Sequence, residues 1–121
     1  MIEDERGCID YVESGASPAV VFVPGSCSTG AAWRPILCRL GNGLRAVTTS
    51  LLGYGGTAER RTLRDADISR EAEVLEAVVR RAAAPVHLVG HSFGGAAAIA
   101  QHVAGVERSE KRSHPALALR Q

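Results

Sequence analysis

At 121 residues the chain has room for one domain, and its 45% hydrophobic and 22% charged residues are the make-up of an ordinary globular protein. A net charge of +1 offers no surplus of either sign, which argues against nucleic acid as a partner. No stretch approaches the ~20 apolar residues of a membrane helix, the acidic start Met1 to Arg6 has no apolar leader core, and Cys8, Cys27 and Cys38 lack Cys-x-x-Cys spacing. We therefore expect reduced thiols, no metal or other cofactor, no membrane association and a cytoplasmic location.

The first predicted element is a short edge strand, Cys8 to Glu13, with the β-formers Ile9, Tyr11 and Val12, leaving through the turn-rich run Ser14 to Pro18. Ala19 to Val23 is apolar without alternation and is stopped by Pro24-Gly25. That pattern suits a strand covered on both faces, at the centre of a parallel sheet. A loop rich in glycine and hydroxyls, Gly25 to Thr29, leads to a helix from about Ala31 to Leu40. Ser26 to Thr29 could serve as a helix cap or leave its N–H groups pointing into a cleft. Trp33 reads as a packing residue. After the turn Gly41-Asn42-Gly43 comes a third strand, Leu44 to Thr49.

Gly53-x-Gly55-x-x-Ala58 matches the spacing of a dinucleotide-binding turn. Such a turn must open into a helix that holds the pyrophosphate, and Glu59-Arg60-Arg61-Thr62 shows no apolar periodicity. Nucleotide binding is therefore not expected. Asp67 to Ala84 carries Ile68, Ala72, Leu75, Val78, Val79 and Ala82 at helical spacing, with Asp67 or Ser69 as the cap, its charges on a solvated face and Pro85 as the stop.

Val86 to Val89 is a second apolar run without alternation, read as a strand buried on both faces with His87 as a core residue. It runs into Gly90-His91-Ser92-Phe93-Gly94, a G-x-S-x-G pattern, and then into the small-residue helix that starts Gly95-Ala96-Ala97-Ala98. A serine at a tight strand-to-helix corner needs glycine on both sides, because a Cβ there would strike neighbouring backbone. The helix behind it aims free N–H groups and its positive dipole end at the corner, where they would stabilise an oxyanion.

This segment resembles the nucleophile elbow of the α/β-hydrolase superfamily, serine-nucleophile type, and the likeness extends over roughly Cys8 to Val106. It implies an α/β fold: part of an α/β-hydrolase, a mainly parallel sheet with helices on both faces and the later strands missing. Residues 1–106 would form the N-terminal part of that domain and residues 107–121 an irregular polar tail. The resemblance makes Ser92 the nucleophile, Gly90 and Gly94 the elbow glycines, and the backbone N–H groups of Ser26 and Phe93 the oxyanion hole. The sequence departs from the superfamily at Pro24, where a histidine is usual, and at Ser50, where the loop containing Gly53-Tyr54-Gly55 usually begins with aspartate.

A serine hydroxyl needs a base and a carboxylate to orient it, which the superfamily supplies later in the chain. His102 lies about 15 Å along the helix from Ser92, too far to act, and His91 is read as packing locally. Glu107 or Glu110 with His114 keeps the order acid, then base, without strands to place them. The expectation is a truncated hydrolase for an ester, thioester or amide, a small-molecule acyl substrate, inactive as this chain alone. The alternative is a non-catalytic interaction or vestigial protein that retains the half-sheet. The elbow strand would lie at an open sheet edge, a surface for self-association.

Overall fold

A computed structural model describes the chain apart from residues 17, 42, 63, 65–67, 84–85 and 114–121, and only the backbone of 106–113. The elements are β1 (Ile2–Asp4), β2 (Gly7–Ile9), β3 (Val12–Ser14), β4 (Ala19–Val23), a 3-10 turn (Gly30–Trp33), α1 (Arg34–Leu40), β5 (Arg45–Thr48), α2 (Ser69–Ala82), β6 (Val86–Gly90) and α3 (Phe93–Ser113).

The unalternating run of β4 occupies the interior of a four-stranded sheet ordered β3-β5-β4-β6, and all five of its residues are buried. It runs parallel to both neighbours, with Val21 opposite Val47 of β5 and Leu88 of β6. β3 closes the other edge antiparallel, Val12 opposite Thr48. Alternate side chains divide the core in two. Val21, Val23 and Val47 join Val74, Leu75 and Val78 of α2 and Ala97 and Ala98 of α3 on one face. Val20, Phe22 and Ala46 meet Trp33 and Leu37 on the other. The indole of Trp33 packs against Phe22 at 5.1 Å between ring centroids, as a packing residue should.

Several expectations are corrected. The predicted strand Cys8 to Glu13 is broken in two at Asp10, and its first part pairs with an unforeseen β1 in a separate hairpin. The helix expected from Ala31 begins as a 3-10 turn and becomes α-helical only at Arg34, with Pro35 in its first turn, where a missing N–H costs nothing. α2 starts at Ser69 with Ile68 at the N-cap position, so Ser69 lies inside the first turn. Asp67 and Pro85 fall outside the described residues. Glu71 is not on a solvated face: it is 3% exposed, on the same side of α2 as Val74, Leu75 and Val78.

β6 is covered on one face only. Val86 and Leu88 pack against the α2 and α3 side, whereas His87 and Val89 are exposed, so His87 is not a core residue. The same apolar run would serve a strand buried on both faces; here no helix lies over the second face of β6 among the described residues. In the first part of the expected tail α3 continues as helix through Ser113, and the rest of it, residues 114–121, lies outside the described residues. Glu107-Arg108-Ser109-Glu110-Lys111-Arg112 contains good helix formers and neither glycine nor proline, so a helix already nucleated in Gly94 to Val106 propagates into it.

Candidate functional site

β6 stops at Gly90 and α3 starts at Phe93, leaving two residues to turn the chain. His91 N donates to Val23 O at 3.1 Å, Gly94 N to His91 O at 2.9 Å and Gly95 N to Ser92 O at 2.9 Å. Closing so short a turn puts Ser92 at φ 55°, a left-handed conformation that a residue with a Cβ adopts at a cost of roughly 1–2 kcal/mol. The flanking glycines are required sterically. A Cβ on Gly90 would lie 2.5 Å from Gly95 Cα, and one on Gly94 would lie 2.1 Å from Pro24 O.

The loop after β4 lies directly against this corner. A Cβ on Gly25 would meet His91 Nδ1 at 3.0 Å and Ser92 Cβ at 3.3 Å. Between loop and elbow is a cleft of about 390 Å³ lined by Pro24, Ser26, Trp33, Ile36, His91 and Ser92, among others. Ser26 and Ser92 are thus brought together, with Gly90 and Gly94 behind them. The side chain of Phe93 turns into the core. Its N–H stands at the first position of α3, one of those a helix leaves without an internal acceptor. Among the described residues Ser26 N and Phe93 N make no hydrogen bond, and neither does Ser92 Oγ.

His102 is not brought to the cleft. It lies with His87 beside Val86, Leu88, Ala98 and Ile99 in a groove at the sheet edge. Glu107 and Glu110 lie on α3 with only their backbone described, and His114 is outside the described residues. No group of His, Cys, Asp and Glu among the described residues could hold a metal ion, and no helix there is long and apolar enough to cross a membrane.

The structure adds a carboxylate knot that the sequence did not announce. Asp10 Oδ2 accepts from Ser50 Oγ at 2.7 Å and from Gly56 N at 2.8 Å, and Ser50 Oγ in turn accepts from Gly30 N at 3.0 Å. Cβ atoms on Gly55 and Gly56 would fall 2.4 and 2.1 Å from the Asp10 carboxylate oxygens, so this glycine pair makes room for it. The knot anchors the far end of the cleft loop and interrupts the strand at Asp10. The one signal in the sequence was Ser50 where the resemblance leads one to look for aspartate: the carboxylate comes from Asp10 instead. Between the cleft loop and the loop after β5, Cys27 Sγ and Tyr54 Oη lie 3.6 Å apart, and the thiol holds the phenol above its ordinary pKa. Glu71 fixes the start of the 51–57 loop, both carboxylate oxygens accepting from Leu52 N at 3.2 Å, while burial pushes its pKa up.

A mainly parallel βα sheet whose last strand ends in a glycine-flanked serine corner, faced by a glycine-rich loop, defines an α/β-hydrolase type of site. The chain belongs to the alpha/beta hydrolase family, whose sequence model matches residues 20–118. Similar solved structures include an epoxide hydrolase from Vigna radiata, at 25% identity and TM-score 0.74 over 83% of this chain and 33% of that one. An alpha/beta hydrolase from Sphaerobacter thermophilus is 27% identical, TM-score 0.71, over 80% of this chain and 37% of that one. A haloalkane dehalogenase loop variant from Bradyrhizobium elkanii is 26% identical, TM-score 0.62, over 74% and 30%. The chain thus spans about a third of the length of these structures, and its fold is part of an α/β-hydrolase fold. No curated protein matches it.

Proposed function

We propose that the chain carries the nucleophile and oxyanion half of a serine hydrolase site acting on an ester, thioester or amide. The observation that carries this reading is the left-handed Ser92 at φ 55° between two glycines that tolerate no Cβ. Strain of this kind persists where a side chain has to be presented. In the reaction Ser92 Oγ adds to the substrate carbonyl, its proton passing to hydroxide from solvent, and the N–H groups of Ser26 and Phe93 hold the resulting oxyanion. Expulsion of the leaving group then forms an acyl-serine that water hydrolyses.

The side chain at the corner argues against the chemistry named for two of the similar structures. A carboxylate that opens an epoxide or displaces a halide forms an ester, which water can cleave. A serine doing the same would form an ether, which has no carbonyl for water to attack. Ser92 therefore fits acyl transfer.

Since no base is placed against Ser92 among the described residues, the chain by itself turns over negligibly. Labelling of the folded protein with a fluorophosphonate tests both parts. Phosphonylation is expected at Ser92, absent in Ser92→Ala, with a rate that climbs steadily with hydroxide concentration. An inflection between about pH 6 and 8 would reveal a histidine base and overturn the inactivity. No labelling at any pH would remove Ser92 as nucleophile and favour the non-catalytic reading.

A further inference from the structure

Ser26, the loop donor of the proposed site, lies in a stretch that does not hold itself in place. Among the described residues no backbone-to-backbone hydrogen bond engages Gly25, Ser26, Cys27 or Ser28. The near end is set by the elbow, where Gly25 lies against His91 and Ser92. The middle and the far end are tied elsewhere, and both ties lead to one carboxylate. On the first, Asp10 Oδ2 accepts from Ser50 Oγ, which accepts from Gly30 N. On the second, the same Oδ2 accepts from Gly56 N, while Asp10 N donates to Thr57 Oγ1 at 3.0 Å and Thr57 Oγ1 to Ser50 O at 2.9 Å. These bonds fix a turn that is closed by Tyr54 N on Leu51 O and by Thr57 N on Tyr54 O, both at 3.0 Å. From that turn the Tyr54 hydroxyl reaches Cys27 Sγ, one residue from Ser26. Cys27 is itself left-handed, at φ 61°, a conformation that a loop free to relax would give up.

We propose that Asp10 is a positioning residue for the oxyanion hole. It holds the Ser26 N–H in place through Ser50 and Gly30 on one side, and through Gly56, Tyr54 and Cys27 on the other. The inference rests on the proposed reaction, in which that N–H is one of two donors. The two donors differ in how they are held. Phe93 N opens α3 and is fixed by the helix. Ser26 N has only its loop. An oxyanion gains most from donors already in place, because none of their stabilisation is then spent on moving them during the reaction. A charged acceptor suits the task, since hydrogen bonds to a carboxylate are shorter and about twice as strong as neutral ones. Asp10 does not line the cleft, so its effect on Ser92 travels through the loop.

Nuclear magnetic resonance of the phosphonylated chain reads the two donors separately. Reaction of Ser92 with a fluorophosphonate is expected to move the amide protons of Ser26 and Phe93 downfield, as each binds the phosphoryl oxygen. In Asp10→Ser the Phe93 shift is expected to persist and the Ser26 shift to vanish, with phosphonylation slowed at least ~10-fold. Adding Ser50→Asp to that variant puts the carboxylate on the other side of the 2.7 Å contact, next to Gly30 N. The double variant is expected to recover both the Ser26 shift and the rate. A general loss of folding would take the Phe93 shift with it, and moving a charge would not repair it. A Ser26 shift that survives in Asp10→Ser, loss of both shifts together, or a double variant no better than Asp10→Ser would each overturn the positioning and leave Ser92 as the nucleophile. Failure of the unaltered chain to react would instead overturn the proposed reaction, and the positioning with it.

Discussion

Ser92 holds a conformation that its own Cβ opposes, at φ 55°, because the turn between Gly90 and Phe93 admits no other. Glycine adopts the left-handed region freely, so Ser92→Gly is expected to stabilise the fold by about 1 kcal/mol while removing the hydroxyl. Gly94→Ala reverses the argument. Its new Cβ would sit 2.1 Å from Pro24 O and 2.6 Å from Val23 O, atoms of the strand end and loop that cannot swing aside as a flexible side chain can. A loss of about 3 kcal/mol or more is expected. Urea unfolding of the two variants against the unaltered chain checks both signs. If Ser92→Gly proves less stable than the parent, the corner stores no strain and the presentation argument loses its footing. Substitution at the serine and at the glycine beside it thus separates a residue held for chemistry from one held for shape.

At the scale of elements, α2 combines a periodicity legible in the sequence with a contact that is not. Val74, Leu75, Val78 and Ala82 recur at helical spacing and are buried as that spacing requires. Glu71 lies three and four residues before Val74 and Leu75, so the same periodicity puts it on the buried side, yet its charge invites placement in solvent. Only the distant Leu52 N–H explains why a carboxylate is tolerated there. β4 and the elbow were legible for a like reason, being fixed by local sterics: an apolar run stopped by Pro24-Gly25, and glycines around Ser92. The break at Asp10 was not, because it depends on Ser50 and Gly56, some forty residues away. Nor was the bare face of β6, since an apolar strand reads the same whatever is packed on it. Of the site, Ser92 could be placed from the sequence by sterics alone, whereas Ser26 reached the cleft through a strand pairing with no local signature. Glu71 yields a test of its own. Burial raises its pKa in the folded state above the unfolded value, so the folded protein binds this proton more tightly. The stability it contributes is fully present below about pH 4.3, the unfolded value, and is lost as pH rises through the folded one. Glu71→Gln keeps an acceptor for Leu52 N but does not ionise. The difference in urea midpoint should therefore move in favour of the glutamine variant from about pH 4 to 7, by about 1.4 kcal/mol for each unit of upward shift. A difference that stays constant across that range would mean that the carboxyl is not desolvated.

Across the whole molecule the two faces of the sheet are unequally covered. The α2 and α3 face buries a continuous cluster from Ile9 to Ala98, whereas the other face rests on Val20, Phe22, Trp33 and Ala46, and α1 itself has no buried residue. A chain of this size buries a smaller share of its surface than a larger domain does, so the thinly covered second face, resting on the contact of Trp33 with Phe22 and on the half-buried Leu37, weighs heavily in its balance.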